Sequence, residues 1–233
     1  MFVPILFRCS NRNHQKTLWG RPELTLQKQL FILTKIPLLG TSKTRLAADI
    51  GQIEALRFSR TVTQKLYRRL SADKRWQCHL ALTPDTLANT TRIWPGYCQR
   101  VLQGRGELGE RMEKVSRNKE VGPLVIVGGD IPDINTQHIQ SAFKALGNSN
   151  FVIGPAKDGG FWLIGMKRRP TNFIPFKNVQ WSANDTLRQT LNNVRDGMTV
   201  SFLEELEDID DGPSWKRWKT NAGFKRYCLE KMT

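Results

Sequence analysis

Pro123-Leu-Val-Ile-Val-Gly-Gly-Asp-Ile-Pro-Asp133 carries four apolar residues, Leu124 to Val127, in an unbroken run. A strand with one wet face alternates polar and apolar residues. An unbroken run instead fits a strand covered on both faces, as in a parallel sheet between layers of helices. Gly128 and Gly129 lead the backbone out of the strand, Asp130 follows, and Pro132 stops the ladder continuing. Asn135 or Thr136 is placed to cap a helix in which Ile139, Phe143 and Leu146 recur at i, i+4 and i+7. A carboxylate thus stands between a buried strand and the next helix. In open α/β sheets ligands bind at that end of the strands. Taken alone, the same residues also fit a plain turn.

Upstream, Leu30-Phe-Ile-Leu-Thr34 has the same buried-strand character and runs into Lys35-Ile-Pro-Leu-Leu-Gly-Thr-Ser-Lys-Thr-Arg-Leu46. Pro37 and Gly40 force a loop there. In an extended loop Lys43 and Arg45 share one side. A basic, glycine-containing loop between a strand and a helix suits phosphate, because cations and free backbone N–H groups converge on it. It is not a P-loop, since Pro37 and Ser42 occupy the two glycine positions that motif requires. A long helix is expected over 52–70, with Phe58, Val62, Leu66 and Leu70 as its buried stripe. Trp76 to Leu82 reads as the next strand.

Gln103-Gly-Arg-Gly-Glu-Leu-Gly-Glu-Arg-Met112 enters another helix. It suits either a loop against a nucleotide or ordinary turn chemistry with i,i+4 pairs Glu107–Arg111 and Glu110–Lys114, worth about 0.2–0.5 kcal/mol each. Downstream, Phe151 to Ala156 and Phe161 to Met166 are two strands joined by Lys157-Asp-Gly-Gly160, a hairpin signal. Asp158 either shapes that turn or faces the strand-end site. Ser182 is placed to cap a following helix with Asp185 as its capping-box partner, and Leu187, Leu191 and Val194 are its buried face. A last strand is expected over 198–203. Glu204 to Asp211 then holds six acids in eight residues, either a solvated loop or part of the site. Trp215 and Trp218 are expected to pack a short terminal helix onto the core.

The 233 residues suffice for one large α/β domain. Thirty-six Lys and Arg against 21 Asp and Glu give a net charge of +15, which suits an anionic partner: nucleotide, phosphorylated substrate, nucleic acid or acidic lipid. The four cysteines form no CxxC, so neither a zinc site nor a disulfide framework is expected, and a reducing, cytoplasmic compartment is the simplest assignment. The apolar run Met1 to Phe7 is shorter than the roughly 20 residues a transmembrane helix needs. Residues 1–28 read as a basic N-terminal extension and 29–233 as the domain.

In this order, the segments resemble a bacterial family of uncharacterised transferases with the GT-A-like, nucleotide-diphospho-sugar-transferase fold. Its members are often labelled glycosyltransferases, some in connection with arsenosugar biosynthesis. The family is similar to the guanylyltransferases that make molybdenum and F420 cofactors. The resemblance is carried by Lys35-x-Pro-x-x-Gly-x-x-Lys-Thr-Arg-Leu46, the 103–112 segment, Gly128-Gly-Asp-x-Pro-Asp133, Gly154-Pro-Ala-x-Asp-Gly-Gly-Phe-Trp-Leu-Ile-Gly165, Trp181-Ser182 and Asp208-Ile-Asp210, and it spans about 29–218. This chain departs from the family at Gly129, where Ser is usual, at Ala183-Asn184 in place of Thr-Pro, and at Asp210-Asp-Gly-Pro-Ser214 in place of Asp-Thr-Pro-Glu-Asp.

The resemblance implies an α/β fold with a mostly parallel sheet and helices on both faces. It implies a transferase using a nucleotide or nucleotide-sugar donor, a small-molecule acceptor and Mg²⁺ or Mn²⁺. Asp130 and Asp210 would hold the metal, with Asp208 beside them; Lys43, Arg45 and Asp158 would act in the transfer. Lys35, Gly40, Lys43, Arg45, Gln103 and Gly104 would contact the nucleotide. The family label favours glycosyl transfer with release of nucleoside diphosphate. Nucleotidyl transfer to a phosphorylated acceptor, with release of pyrophosphate, is the alternative. A nucleic-acid-binding protein is the reading from another class, but no recognised binding module supports it. Removing residues 1–28 is expected to leave a cooperatively folding domain; loss of the thermal unfolding transition in the truncated chain would place the extension in the core.

Overall fold

A computed structural model describes residues 26–94, 96–117, 122–169 and 173–220. In chain order they form β1 (Gln29–Lys35), α1 (Thr44–Ile50), α2 (Gln52–Ser71), β2 (Gln77–Thr83), α3 (Asp85–Ala88), β3 (Arg100–Leu102), α4 (Leu108–Ser116), β4 (Leu124–Gly128), α5 (Thr136–Ala145), β5 (Phe151–Pro155), β6 (Phe161–Met166), α6 (Thr186–Asn192), β7 (Val200–Phe202) and α7 (Gly212–Thr220). The strands make one sheet in the order β3-β2-β1-β4-β6-β5-β7. The first four of that order are mutually parallel. Only β6 runs against its neighbours β4 and β5, and β7 is parallel to β5. The expected mostly parallel α/β fold is what the chain forms.

The unbroken apolar runs are explained by which way each residue points. Leu30, Ile32, Leu80, Leu82, Val125 and Val127 pack under Leu66 and Leu70 of α2 and Ile139 and Phe143 of α5. Phe31, Ala81, Leu124 and Ile126 face the other way, onto Met112 and Val115 of α4. Alternate residues of each central strand therefore enter opposite cores, and neither face is left for polar side chains. Full burial of such aliphatic side chains contributes about 1.5–3 kcal/mol each. A third cluster joins Leu46, Phe58, Val62, Ile209 and Trp218, fixing α7 to α1 and α2.

Local expectations hold where periodicity carries them. The stripe Phe58, Val62, Leu66 and Leu70 is buried along α2. Asn135 caps α5, its side chain accepting hydrogen bonds from the backbone N–H groups of Gln137 at 2.8 Å and His138 at 3.1 Å. β5 and β6 form the expected hairpin, closed where Gly159 N donates to Ala156 O at 3.1 Å. Gly159 has a φ of +85°, and a β-carbon there would come within 1.9 Å of Asn184 O.

Two local expectations, one of a cap and one of an ion pair, are corrected. The helix after Trp181 begins at Thr186, not after Ser182, whose φ of +62° is left-handed. Asp185 occupies the cap position, but its carboxylate binds Arg188 at 2.7 Å and Gln189 at 2.8 Å rather than the backbone. In α4, Glu110 turns back to the Glu107 N–H at 2.9 Å, completing a capping box instead of pairing with Lys114. Lys114 lies 3.9 Å from Asp85, and the i,i+4 ion pair is Glu113–Arg117 at 2.6 Å. Capping wins because the first N–H groups of a helix have no partner inside it.

The extension read over 1–28 lies outside the described residues up to position 25. The sheet begins just after it, where Gln77 N donates to Lys28 O at 2.9 Å. Among the described residues no helix is long and apolar enough to cross a membrane.

Gln103 braces the sheet. Its side chain is buried, and its amide nitrogen donates to Ala81 O at 2.6 Å and Thr34 O at 3.1 Å. Gln103→Leu removes both donors from buried carbonyls, so it should destabilise the protein by about 1–3 kcal/mol in urea unfolding. An unchanged midpoint would show that the brace is dispensable.

Candidate active site

The strands β1 and β4 end together, and the loops leaving them define one edge of the sheet. After β1 the chain turns through Gly40, at a φ of +74°, and Lys35 Nζ closes the loop by donating to Thr41 O at 2.6 Å. Lys43 ends the loop with φ 52° and ψ 48°, a left-handed conformation that a non-glycine residue adopts only when its surroundings hold it there. That turn directs its side chain into the molecule, where it is only 9% exposed. Its ammonium donates to Asp130 Oδ2 at 2.8 Å and Asp210 Oδ1 at 3.2 Å. Arg45, on the first turn of α1, pairs with the other oxygen of Asp210.

Asp130 is placed by the strand end. Gly129 N donates to Leu33 O at 2.9 Å, extending the β1–β4 ladder one step, and the carboxylate follows it. The departure at Gly129 is a matter of space, since a β-carbon there would come within 2.8 Å of Thr34 Cβ.

Asp208 and Asp210 arrive from 78 and 80 residues further along the chain. The segment after β7 stays beside β5, with Leu206 N donating to Pro155 O at 3.1 Å. Ile209 is buried in the third core cluster, at 2% exposure. In an extended segment its two neighbours must then point the opposite way, into the cleft. Ser214 Oγ accepts from Asp210 N at 3.1 Å, and Gly212 N donates to Asp49 Oδ2 at 2.6 Å, tying the turn to α1. One carboxylate oxygen from each of Asp130, Asp208 and Asp210 lies within 4.8 Å of the others.

These neighbours set the protonation of the group. Burial alone would raise the Asp130 carboxyl, but the Lys43 ammonium outweighs it and holds the group below the usual carboxylate range. Burial likewise works against the Lys43 charge, yet Asp130 and Asp210 prevail and keep its pKa above that of an ordinary lysine. Asp208 goes the other way. Burial, then the charge of Asp130, push it up to about 6 against the opposing pull of Lys43, with Asp158 and Asp210 adding smaller pushes. The set suits a divalent cation: oxygen donors from carboxylates, in mutual reach, with one of them disfavoured as an anion until a cation neutralises its neighbours.

Two recesses meet at this group. A small polar one, about 230 Å³, is bounded by Thr34, Lys35, Ser42, Lys43 and Ser59. A larger cleft of about 540 Å³ includes Asp158, Asp208, Phe161, Trp181 and Asn184. Asp130 and Asp210 line both. The structure thus brings together Lys43, Arg45, Asp130, Asp208 and Asp210, with Asp158 on the cleft wall and Lys35 in the small recess. Gln103 and Gly104 are placed differently. The Gln103 amide is committed to the sheet, and Gly104 N donates to Asp85 Oδ1 at 3.0 Å. Three other acids of the 204–211 run have partners elsewhere: Glu204 meets His138 at 2.7 Å, Glu207 binds Arg217 at 2.5 Å, and Asp211 caps α7 through Ser214 N at 2.8 Å. Sequence reasoning missed Ser59, Phe161 and Asp49. The first two look like ordinary members of a helix face and a strand, and nothing local marks Asp49 as the anchor of a turn 163 residues away.

Comparison with known proteins bears on the family and the fold. The family described as an uncharacterized protein conserved in bacteria, DUF2064, matches residues 66–183. A search of curated proteins finds no match. Among solved structures, the chain is similar to a protein of Desulfovibrio desulfuricans G20 provisionally assigned as a nucleotide-diphospho-sugar transferase. The identity is 24% and the TM-score 0.73, over 88% of this chain and 94% of that one. It is also similar to CMP:2-keto-3-deoxy-manno-octonic acid synthetase complexed with CTP, at 8% identity and a TM-score of 0.56, over 83% and 97% of the two chains. A third similar structure is the manganese complex of Rv0371c from Mycobacterium tuberculosis H37Rv, at 13% identity and a TM-score of 0.51, over 82% and 97%. At these identities the likeness is one of fold.

The raised Asp208 gives a signed pH dependence. Unfolded, its carboxyl has a pKa of about 3.9; folded, about 6. Between those values the native state binds more protons, so stability falls as pH rises. In chelator, the wild-type protein should lose stability relative to Asp208→Asn across that window. Parallel thermal-denaturation profiles for the two proteins would show that the carboxyl is not held high.

Proposed function

We propose that this chain, which belongs to the bacterial family DUF2064, is a metal-dependent transferase acting on a nucleotide-activated donor, and that the group it moves is a sugar. The observation that carries the proposal is Lys43 Nζ lying 2.8 Å from Asp130 and 3.2 Å from Asp210, at the meeting point of two recesses. Two carboxylates about 4 Å apart repel by about 4 kcal/mol at an effective dielectric of 20. A fold keeps such a pair where a cation or a polyphosphate complex makes use of it.

Asp130 and Asp210 would hold Mg²⁺ or Mn²⁺, with Asp208 completing the set. When bound, such an ion neutralises donor phosphate charge. The chain's own groups do the rest. Lys43 and Arg45 give up part of their hold on the carboxylates to bind phosphate oxygens, and they stabilise the charge that collects on the leaving group. Lys35, Ser42 and Lys43 line the recess that takes the phosphates, while Gly40 turns the loop that carries the last two. Asp158, on the opposite wall, orients the acceptor. Residues 29–233 act as one domain, with 1–28 as a basic extension. The buried, unpaired Cys78 and Cys98 suit a reducing compartment, and we assign the protein to the cytoplasm.

Nucleotidyl transfer is the second reading, favoured by the likeness to a synthetase complexed with CTP. The same cations serve either reaction. The products separate them: nucleoside diphosphate for glycosyl transfer, pyrophosphate for nucleotidyl transfer.

A thermal-shift screen of nucleotides and nucleotide-sugars, with and without Mg²⁺ or Mn²⁺, tests the proposal. A donor at 100 times its Kd should add about 2.7 kcal/mol of stability. The shift should need the metal and vanish in Asp130→Ala, while that variant keeps its own unfolding transition. A shift that survives the substitution would remove Asp130 from the site. No shift with any nucleotide, together with salt-sensitive binding to RNA or DNA, would favour a nucleic-acid-binding protein instead.

A further inference from the structure

The larger cleft is lined by two unlike sets of groups: the carboxylates Asp158, Asp208 and Asp210, and the apolar side chains Leu108, Met112, Phe161 and Trp181. Trp181 is a fixed platform. Phe161 and Phe176 meet its ring edge-on, with centroids 6.2 and 5.9 Å away. Gly109 lies under it, where a β-carbon would come within 2.6 Å of the indole. This accounts for the third glycine of the 103–112 segment, which phosphate chemistry leaves without a role: α4 has no side chain at the point where the indole rests on it.

The electrostatics narrow what the cleft accepts. Among the described residues lining it, Arg45 is the only cation, and it is engaged by Asp210. With Lys43 and Arg45 taken up by the donor phosphates, and Lys157 of the adjoining recess paired with Glu207 at 3.6 Å, a phosphorylated acceptor would bring a second dianion beside Asp158 and Asp208 that those cations do not meet, and a desolvated charge without a partner is strongly unfavourable. A neutral hydroxylated ring avoids that conflict. Its apolar face lies on an aromatic platform, and its hydroxyls reach the polar groups of Asp158, Ser182 and Asn184.

Resting on the donor reading above, we propose that this cleft is the acceptor subsite and takes a neutral, ring-shaped polyol of the glycoside type, stacked on Trp181 with a hydroxyl toward Asp158. In the transfer, the acceptor hydroxyl oxygen forms a bond to the donor's anomeric carbon. The bond from that carbon to the phosphate oxygen breaks, and its electron pair leaves with the nucleoside diphosphate. The hydroxyl proton passes to a carboxylate of the cleft and on to water.

Saturation-transfer NMR on the full chain with Mg²⁺ tests this, using methyl and p-nitrophenyl glycosides as neutral probes and their 6-phosphates as anionic counterparts. Ring protons of at least one neutral glycoside should be saturated and its phosphate should not. Trp181→Ala should weaken the glycoside roughly tenfold or more, the upper range of what a single aromatic contact supplies. Gly109→Ala is the second variant. Alanine favours the helix, so its effect should come from displacing the indole. Both variants should keep the metal-dependent nucleotide shift. Glycoside binding indifferent to both substitutions, equal binding of the phosphates, or no signal from any neutral probe overturns the acceptor assignment while the nucleotide shift stands. Loss of the nucleotide shift in the wild-type protein overturns the donor reading instead.

Discussion

The ammonium of Lys43 sits where three segments meet, bonding the loop after β1 to the end of β4 and to the return after β7. Asp130 and Asp210 would repel each other across the gap that Lys43 fills. With the ammonium between them the pair is stable, and the left-handed backbone at residue 43 is what lets the side chain enter. A left-handed residue with a β-carbon costs about 1–2 kcal/mol, and two charge-assisted hydrogen bonds, each stronger than a neutral one, offset it. The same arrangement is ready for exchange. In the proposed reaction a cation on the carboxylates would free Lys43 for an anion, and a polyphosphate on Lys43 would free the carboxylates for a metal.

The supporting structure is devoted to keeping those oxygens in place. The sheet delivers Asp130 through one extra ladder bond at Gly129. Burial of Ile209 turns both of its acidic neighbours to the cleft, and Asp49 and Ser214 pin the turn behind them. Because the three carboxyls are unequally placed around Lys43, their protonation diverges. Asp130 is held ionised, while burial and then the charge of Asp130 push Asp208 up to about 6. Environment, and not residue type, separates them.

Some of the basic residues are taken up in local ion pairs on the surface. Arg57 pairs with Glu54, Arg75 with Asp73, Arg117 with Glu113 and Arg188 with Asp185, each within a few residues along the chain. Such exposed pairs add little stability, about 0.2–1 kcal/mol each. Each such pair is neutral, so the net +15 resides in other side chains; at the site itself Lys35 and Lys43 line the small recess and Arg45 the larger cleft.

What the sequence determined by itself was whatever depends on near neighbours. The run Leu124 to Val127 required a strand buried on both faces, the four-residue stripe of α2 required a helix on one of them, and Asp158-Gly159 required a turn. The strand-end position of Asp130 and the order of the motifs pointed to a GT-A-like sheet, because ligands gather at that edge whatever the chemistry. Helix starts were less legible. Ser182 and Asp185 have the spacing of a capping box, yet the cap moved to Asp185, where the carboxylate found Arg188 and Gln189 closer than the backbone. Gln103 sits in a motif that suits a nucleotide, but its buried amide answers two carbonyls at the strand ends. Only the tertiary structure decided that Lys43 stands between Asp130 and Asp210, that Asp208 joins them, and that Gly109 makes room for Trp181. These contacts span 72 to 167 residues of chain. Separations of that length leave no periodic trace, because their energy comes from burial and charge balance once the sheet has closed.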